Sequence, residues 1–324
     1  MRPLFFANGK TILPCVKPFL ADQRRSAYAN GMNDHIKGIL ITVLGVLCVV
    51  PDSLFVRVID AAPMTTAFGR AFMSGATVFV VVLLFQGLAP FRRLFQAGPR
   101  ALLFILLLGS TAPGFVLAIT NTSVANVVFI FAATPVFAAI FSRVFLGELI
   151  SRRMVATMVV VFIGLGIIAY GSGENELASW KGDLFALYVS CGFAGVLTVA
   201  RSLKATPMVP AIPFAYFGAA LFMAPFAQPA QVFQTDFQTF LIYGTFMGAG
   251  SCLLSLGPRY VPSSEVSLLI LLESVLALIL VWYWIGENPG KWAVLGGAVV
   301  IGALIISNAI ALRTNASRGT APHQ

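Results

Sequence analysis

The sequence predicts an all-α integral membrane protein in which ten transmembrane helices form two inverted repeats of five helices each. Three observations lead to this fold class. The composition is too apolar for a soluble domain, ten apolar windows are long enough to cross a bilayer, and the first half of the chain resembles the second half.

Hydrophobic residues make up 58% of the 324 residues, and charged residues make up only 10%. A soluble domain cannot bury so large an apolar fraction. A helix needs roughly 20 apolar residues to cross a hydrocarbon core of about 30 Å. The predicted spans are residues 36–57, 64–86, 101–119, 122–142, 154–171, 182–201, 209–227, 238–256, 264–285 and 292–312.

The net charge of +9 could indicate nucleic acid, but the distribution of the basic residues predicts membrane topology instead. With the N-terminus in the cytoplasm, the cytoplasmic face carries all of the 21 Lys and Arg residues except Arg57, Arg70, Lys181 and Lys291. We therefore expect a multi-pass protein of the cell inner membrane with both termini in the cytoplasm and no nucleic-acid partner.

The first 35 residues are polar, contain Pro14 and Pro18, and lack the apolar region of a signal peptide. We expect a disordered extension, and Met32, just before the first span, is an alternative start of the natural chain. The predicted units are the extension 1–35, a first five-helix repeat 36–171, a second repeat 182–312 and a cytoplasmic tail 313–324.

The repeats are visible as direct self-similarity. The segment Lys37–Met64 overlays the segment Lys181–Met208 without a gap at a shift of 144 residues. At a shift of 139 residues, Gly147–Glu148 meets Gly286–Glu287. Because each half holds an odd number of spans, the second half enters the bilayer from the opposite side, which makes the repeat an inverted one.

Two stretches carry a resemblance to a known family. The stretch Pro135–Glu148 resembles the fourth-helix signature of the drug/metabolite transporter superfamily with paired EamA domains, and Leu271–Glu287 repeats it in the second half. The resemblance covers nearly all of residues 36–312. Ser274 stands where the family often has proline after the glutamate, which predicts a straighter ninth helix.

The resemblance implies a secondary transporter that moves a small-molecule substrate by alternating access, with export as the expected direction and import left open. It further implies a central cavity lined by helices one to four and six to nine, with helices five and ten at the periphery. Coupling to protons is an option that the resemblance leaves open.

Few ionisable residues lie inside the spans, where an ionised group costs about 2.5 to 3.5 kcal/mol. Asp52 and Arg70 lie about 8 Å and 10 Å below the same membrane face by helical rise, so we expect them to meet. Pro51 is expected to loosen the helix beside Asp52. The pair is either an outer gate or substrate clamp, or a purely structural ion pair.

Glu273 lies near the middle of the ninth span and is our candidate for coupling, because its carboxyl group could bind a proton and release it when substrate arrives. The alternative is a protonated Glu273 that donates a structural hydrogen bond between helices. Thr134 is its counterpart in the first repeat. Asn126 and Glu265 are a second pair of counterparts, near the membrane surfaces, where substrate contact and interfacial polarity are both open readings.

Glu148 and Glu287 each follow a glycine and precede a basic residue by four positions, Arg152 and Lys291 respectively. This spacing favours a structural role at a helix start, as does Pro135 in the same motif. Glycines of spans five and ten favour close helix packing within the chain or contact in a homodimer. These are glycines 164, 166, 296, 297 and 302.

An enzyme is the alternative of a different class, and the residue inventory disfavours it. Both histidines, His35 and His323, lie outside the spans, which leaves no intramembrane Ser/His or metal site. The stretch that begins at Gly286 lacks the spacing of a P-loop. We expect no cofactor and no metal. A non-catalytic membrane receptor or scaffold remains open, and substrate flux would separate it from a transporter.

Overall fold

The computed structural model describes residues 36–96, 98–147, 149–171, 178–203, 208–256 and 263–319. Side chains are described for these residues except 93, 95, 96, 235, 263–271, 308 and 311–319. The predicted extension 1–35 with Met32, the side chain of Glu265, and Glu148 lie outside the described residues.

All regular structure in these ranges is helical. We number the ten main helices α1 Ile36–Val58, α2 Pro63–Gln86, α3 Pro99–Asn121, α4 Val124–Leu146, α5 Arg152–Gly171, α6 Trp180–Ser202, α7 Ile212–Met223, α8 Phe237–Leu256, α9 Ser263–Ile285 and α10 Lys291–Gly319. A short helix, Ala89–Gln96, joins α2 to α3, a 3-10 turn Val209–Ala211 precedes α7, and a π turn Gln231–Thr235 precedes α8.

The helices α1 to α6 and α8 are long and apolar enough to cross a membrane, and α7, α9 and α10 contain shorter apolar stretches within the described residues. The predicted all-α membrane fold is thereby confirmed. The helix α10 continues to Gly319, past the predicted end of the tenth span at residue 312.

Proline and glycine fix several helix ends. Pro63 and Pro99 stand in the first turns of α2 and α3, where a missing N–H costs nothing because that group has no partner within the helix. Gly147 follows α4 with φ of 69°, and Gly286 follows α9 with φ of 75°. These are the glycines of the repeated Gly-Glu pair, so each repeat ends its fourth helix with a residue that tolerates the left-handed conformation.

Two of the ten helices are interrupted, and both belong to the first repeat. The helix α1 stops at residue 49 and resumes at Asp52, with Val50 and Pro51 in a turn between the two segments. The helix α4 is interrupted at Ala133 and resumes as Thr134–Leu146, with Pro135 in the first turn. Their counterparts α6 and α9 run without interruption.

The two halves of the chain interleave. The helix α2 packs on α7, α4 on α9, and α5 on α10, and each of these pairs joins a helix to its own counterpart. The contact between α2 and α8 has its equivalent in the contact between α7 and α3, because α7 is the counterpart of α2 and α8 is the counterpart of α3. The contact of α3 with α6 is mirrored by that of α8 with α1, where Gly250 lies against Val49. The interior of the molecule therefore lies between the repeats.

Close approach of α5 and α10 accounts for several of their glycines. A methyl group at Gly164 would lie 2.9 Å from the carbonyl oxygen of Gly296, and one at Gly296 would lie 2.6 Å from that of Gly164. Gly297 faces the ring of Phe129. These three glycines thus serve packing within the chain, whereas Gly166 and Gly302 have open space beside them.

Exposed aromatic side chains mark one end of the bundle, which we call the tryptophan end. It carries Trp180 at the start of α6, Trp282 and Trp284 at the end of α9, and Trp292 at the start of α10, which are all four tryptophans of the sequence. The ring of Trp292 lies 5.2 Å from that of Tyr170 at the end of α5. Trp and Tyr side chains of this kind prefer the membrane interface.

Candidate functional site

The interruption of α1 has a direct cause in the sequence. Pro51 has no N–H to donate to the preceding turn, and its ring does not fit against the carbonyl four residues earlier. The last bond of the first segment runs from the N–H of Val50 to the carbonyl of Val46, and the second segment opens with a bond from Phe55 to the carbonyl of Pro51. Asp52 therefore begins a new helical segment inside the bundle.

Asp52 and Arg70 form a bidentate ion pair, as their predicted depths implied. Nε of Arg70 donates to Oδ1 of Asp52 over 2.9 Å, and Nη2 donates to Oδ2 over 2.7 Å. The hydroxyl of Tyr243 also donates to Oδ1 of Asp52. The three side chains join α1, α2 and α8, so the cluster spans both repeats.

Aromatic rings enclose this ion-pair cluster. The guanidinium of Arg70 lies 5.4 Å from the centre of the Phe115 ring, and the ring of Phe55 stacks on Tyr243 at 4.8 Å. Asp52 and Arg70 are only 6% and 7% exposed. In such apolar surroundings each charge depends on the other, because an unpaired buried charge costs several kcal/mol.

A small cavity lies beside the cluster, at the interruption of α1. Its lining comes from α1, α3, α4 and α9 and consists of Val49, Val50, Asp52, Ser53, Phe115, Val128, Phe131, Glu273, Ser274 and Ala277. Its volume is about 20 Å³, which suffices for a water molecule and is far too small for a metabolite. The family resemblance implied a wider cavity lined by helices one to four and six to nine, whereas the residues that line this one include none from α2, α6, α7 or α8.

Two polar groups of the cavity stand out because neither pairs with a residue that the structure describes. Glu273, which is partly buried, has no hydrogen bond or ion pair among the described residues. The hydroxyl of Ser53 is buried and has no partner there either. Buried polar groups are nearly always paired, so unpaired ones in a cavity are expected to meet a ligand or water.

A second polar network closes the tryptophan end, and we call it the outer clasp. Its first half joins Arg57 to Glu287, whose Nε and Oε2 atoms are 3.2 Å apart. Nη2 of Arg57 also donates to the carbonyl of Thr122 over 2.9 Å, and Oε1 of Glu287 accepts from the N–H of Val124 over 2.7 Å. The clasp thus links the ends of α1 and α9 to the start of α4.

The second half of the outer clasp centres on Asp183, in the first turn of α6. Its Oδ1 accepts from the hydroxyl of Thr122 over 2.8 Å and from Nδ2 of Asn126 over 3.0 Å. Gly182 packs so closely on Thr122 that a methyl group there would lie 2.5 Å from the Thr122 Cβ. Helices from both repeats meet at this network.

The structure separates the residues that the sequence singled out. Asp52 and Glu273 line the cavity, Arg70 is bound to Asp52, and Pro51 precedes Asp52 in the interruption of α1. Asn126 lies instead in the outer clasp. Thr134 is buried between helices, where its hydroxyl lies 3.0 Å from that of Ser190 and donates to the carbonyl of Phe131.

Glu287 differs from its expected arrangement. The sequence indicated a carboxylate at the start of the tenth helix with Lys291 one turn on, but α10 begins only at Lys291. Glu287 instead binds the N-terminus of α4 and Arg57. The helix that it serves is distant in sequence, so spacing along the chain does not reveal it.

Sequence reasoning missed Tyr243, Ser53 and Phe115. Only Tyr243 carries a usable signal, because a tyrosine inside an apolar span needs a partner for its hydroxyl. Ser53 and Phe115 are ordinary residues of membrane helices, and their place at the cavity follows from the fold alone. In the described ranges, no three His, Cys, Asp or Glu residues lie close enough to hold a metal ion.

The fold consists of two interleaved helical repeats, which share a carboxylate-bearing cavity beside an interrupted helix. This combination defines a class of multi-pass membrane proteins that carry out transport. A family model described as the EamA-like transporter family matches residues 36–170 and again residues 180–309. The chain belongs to this family. The drug/metabolite transporter resemblance is confirmed, and the family is one of transporters rather than enzymes.

Individual proteins also resemble this chain. The Uncharacterized transporter YdfC of Bacillus subtilis (strain 168) is 26% identical over 184 residues, which are 52% of this chain and 58% of YdfC. The match thus spans somewhat more than half of that relative. A solved structure described only as "Crystal structure of protein" has a TM-score of 0.62 at 17% identity and covers 86% of this chain and 99% of its own, which shows a shared fold.

Proposed function

We propose that this EamA-family transporter exports a small metabolite across the inner membrane by alternating access, and that Glu273 couples the movement to protons. The observation that carries the proposal is an unpaired carboxylate in a cavity between the repeats, beside an interrupted helix. Interrupted helices at a repeat interface are where secondary transporters hold substrates and coupling ions.

The closed cavity fits one step of such a cycle. The lining helices belong to both repeats, so a rotation of one repeat against the other would widen the cavity towards one face at a time. The outer clasp holds the tryptophan end shut, and its bonds would have to break for that end to open.

The role of Glu273 is to hold a proton while the substrate is absent. Asp52 is already occupied by Arg70 and Tyr243, which leaves Glu273 as the described carboxyl group of the cavity that can exchange protons without breaking an ion pair. Proton binding and substrate binding would then compete, and one would drive the other.

Proteoliposomes that contain the purified chain and a pH-sensitive dye test this proposal. We expect substrate-dependent proton movement in the native protein and none in Glu273→Gln, with Asp60→Asn, an exposed loop carboxylate, as the matched control. Transport by Glu273→Gln that kept its full dependence on pH would remove the coupling role. Sidedness of the flux in oriented vesicles tests export.

The proposed topology places the tryptophan end outside and both termini in the cytoplasm. It is supported by the clustering of Arg and Lys at the opposite end and by the aromatic side chains at the tryptophan end. Cytoplasmic activity of reporters fused to either terminus is expected. A homodimer through the open faces at Gly166 and Gly302 remains part of the proposal and is tested by the mass of the detergent-purified protein.

A further inference from the structure

Once Glu273 has released its proton, the charges around the cavity do not balance. Among described side chains, Asp52 contributes −1, Arg70 contributes +1 and Glu273 contributes −1, which leaves a net charge of −1. Tyr243, whose hydroxyl donates to Asp52, adds no charge as a hydrogen-bond donor. A monovalent positive group would therefore restore neutrality.

Arg70 is poorly placed to receive an anionic ligand. Its Nε and Nη2 are both bound to Asp52, and its face is covered by the ring of Phe115. An anion bound to Arg70 would share a cation that already neutralises Asp52, and the site with an ionised Glu273 would then carry a further net negative charge. The ion-pair cluster is thus neutral overall and has a structural role. The unpaired charge of the site is the negative charge of Glu273.

The remaining lining suits an organic cation with an apolar body. Phe115 and Phe131 supply aromatic surface and Val49, Val128 and Ala277 supply aliphatic surface. Aromatic side chains attract ammonium groups through the negative face of the ring. An alkali ion would need several oxygen ligands, and this largely apolar lining offers few.

Ser53 adds a hydrogen-bonding group to the cavity wall. Ser53 is one of the lining residues, and its hydroxyl is buried and has no partner among the described residues. A hydroxyl can accept two hydrogen bonds, so it can receive an N–H from an ammonium group whose charge is held by Glu273.

We propose that the cavity binds a monocationic amine with an apolar body, with Glu273 as its counter-ion and Ser53 as a second hydrogen-bonding partner. This inference rests on the proposed transport function and adds the chemical class of the substrate. In the closed state the cavity holds only a water molecule or the proton of Glu273. The amine enters after the lining helices separate, and it replaces that proton one for one.

Ligands of matched shape and different charge test the proposal on the full, detergent-purified chain. The cations are butylamine, phenethylamine and tryptamine, the anion is 3-phenylpropionate, the neutral ligand is 3-phenylpropanol, and the zwitterion is phenylalanine. A rise in Tm measures binding to the folded protein. We expect at least one amine to raise the Tm, and the anion, the neutral ligand and the zwitterion to leave it unchanged.

Variants assign the effect to the proposed residues. Glu273→Gln should weaken amine binding at least tenfold, Ser53→Ala severalfold, and Asp60→Asn not at all. Should Glu273→Gln fail to fold, Glu273→Asp, which keeps the charge on a shorter side chain, should retain weakened amine binding. Equal stabilisation by 3-phenylpropanol and phenethylamine, stabilisation of Glu273→Gln by amines at native strength, or no amine effect at all would overturn the proposal.

Counterflow in proteoliposomes separates this proposal from the transport function itself. Exchange of labelled phenethylamine or tryptamine supports both. Exchange of phenylalanine or 3-phenylpropionate without exchange of any amine overturns the substrate class and leaves transport standing. Absence of exchange for every ligand in the panel, although the amines bind, overturns transport and leaves the binding site standing.

Discussion

At the scale of single residues, the burial of the Asp52–Arg70 pair sets the strongest constraint on the molecule. Two charges that are less than a tenth exposed are tolerated because a bidentate geometry and the Tyr243 hydroxyl satisfy them. Such a pair is weak evidence for net stabilisation, since an apolar pair of similar volume often does as well. Loss of only one of the two charges is costly, because the other charge remains buried and unpaired.

We therefore expect Asp52→Asn to destabilise the protein by about 3 to 5 kcal/mol, because Arg70 is left as an uncompensated buried cation. The double variant Asp52→Asn with Arg70→Met should regain most of that loss. Thermal unfolding in detergent, with Asp60→Asn as the exposed control, measures both. If the double variant is no more stable than Asp52→Asn alone, then the unpaired charge of Arg70 is not the cause of the destabilisation.

The residue scale also shows what the sequence can reveal about a site. Asp52, Arg70 and Glu273 are visible in the sequence because a charge in an apolar window is costly and calls for a reason. The partners that explain them are not visible in the same way. Tyr243 is 191 positions from Asp52 and Glu287 is 230 from Arg57, and only the packed helices bring them together.

At the scale of helices, each of the two interruptions coincides with a proline. In the first repeat, Pro51 and Pro135 accompany the breaks in α1 and α4. In the second repeat, the equivalent positions hold Gly195 and Ser274, and α6 and α9 run through. The helix α9 has no proline at this position and runs without a break, but Pro113 lies inside α3 without interrupting it, so a proline within a helix does not by itself produce a break. The depth of each break within the bundle had to come from the structure.

Pro51→Ala tests whether the break in α1 is needed for function. The substitution restores an N–H and favours a continuous helix, so we expect unchanged or higher Tm together with a strong fall in transport, as Asp52 and Ser53 are turned out of place. Pro99→Ala, at the first turn of α3 where proline does no harm, is the matched control and should change neither quantity. Transport by Pro51→Ala at the native rate would mean that the break is incidental.

At the scale of the whole molecule, three pairs of equivalent helices join the two repeats, so in the proposed transport cycle one repeat would move against the other across these contacts. Self-similarity in the sequence foretold two repeats, and the contacts of α2 with α7, α4 with α9 and α5 with α10 show how they are joined. The outer clasp is the part of this interface that sequence spacing misled us about, because Glu287 serves α4 in the other repeat instead of α10.

The outer clasp should control how often the tryptophan end opens. Arg57→Gln removes its ion pair with Glu287, and a loss of about 1.4 kcal/mol from the closed state would raise the open population tenfold relative to the closed one. Opening would expose the cavity wall to water on that side. A cysteine introduced by Val128→Cys, in a background without the native cysteines, reports this exposure because Val128 lines the cavity.

We expect a membrane-impermeant maleimide, added outside right-side-out vesicles, to label that cysteine several times faster when Arg57→Gln is present. Glu287→Gln should act in the same direction, since it breaks the same ion pair from the other side. Arg152→Gln, at the opposite end of the bundle, should leave the labelling rate unchanged. If the rate is the same with and without the Arg57–Glu287 pair, the clasp does not hold the closed state, and the tryptophan end is not the gate of an alternating-access cycle.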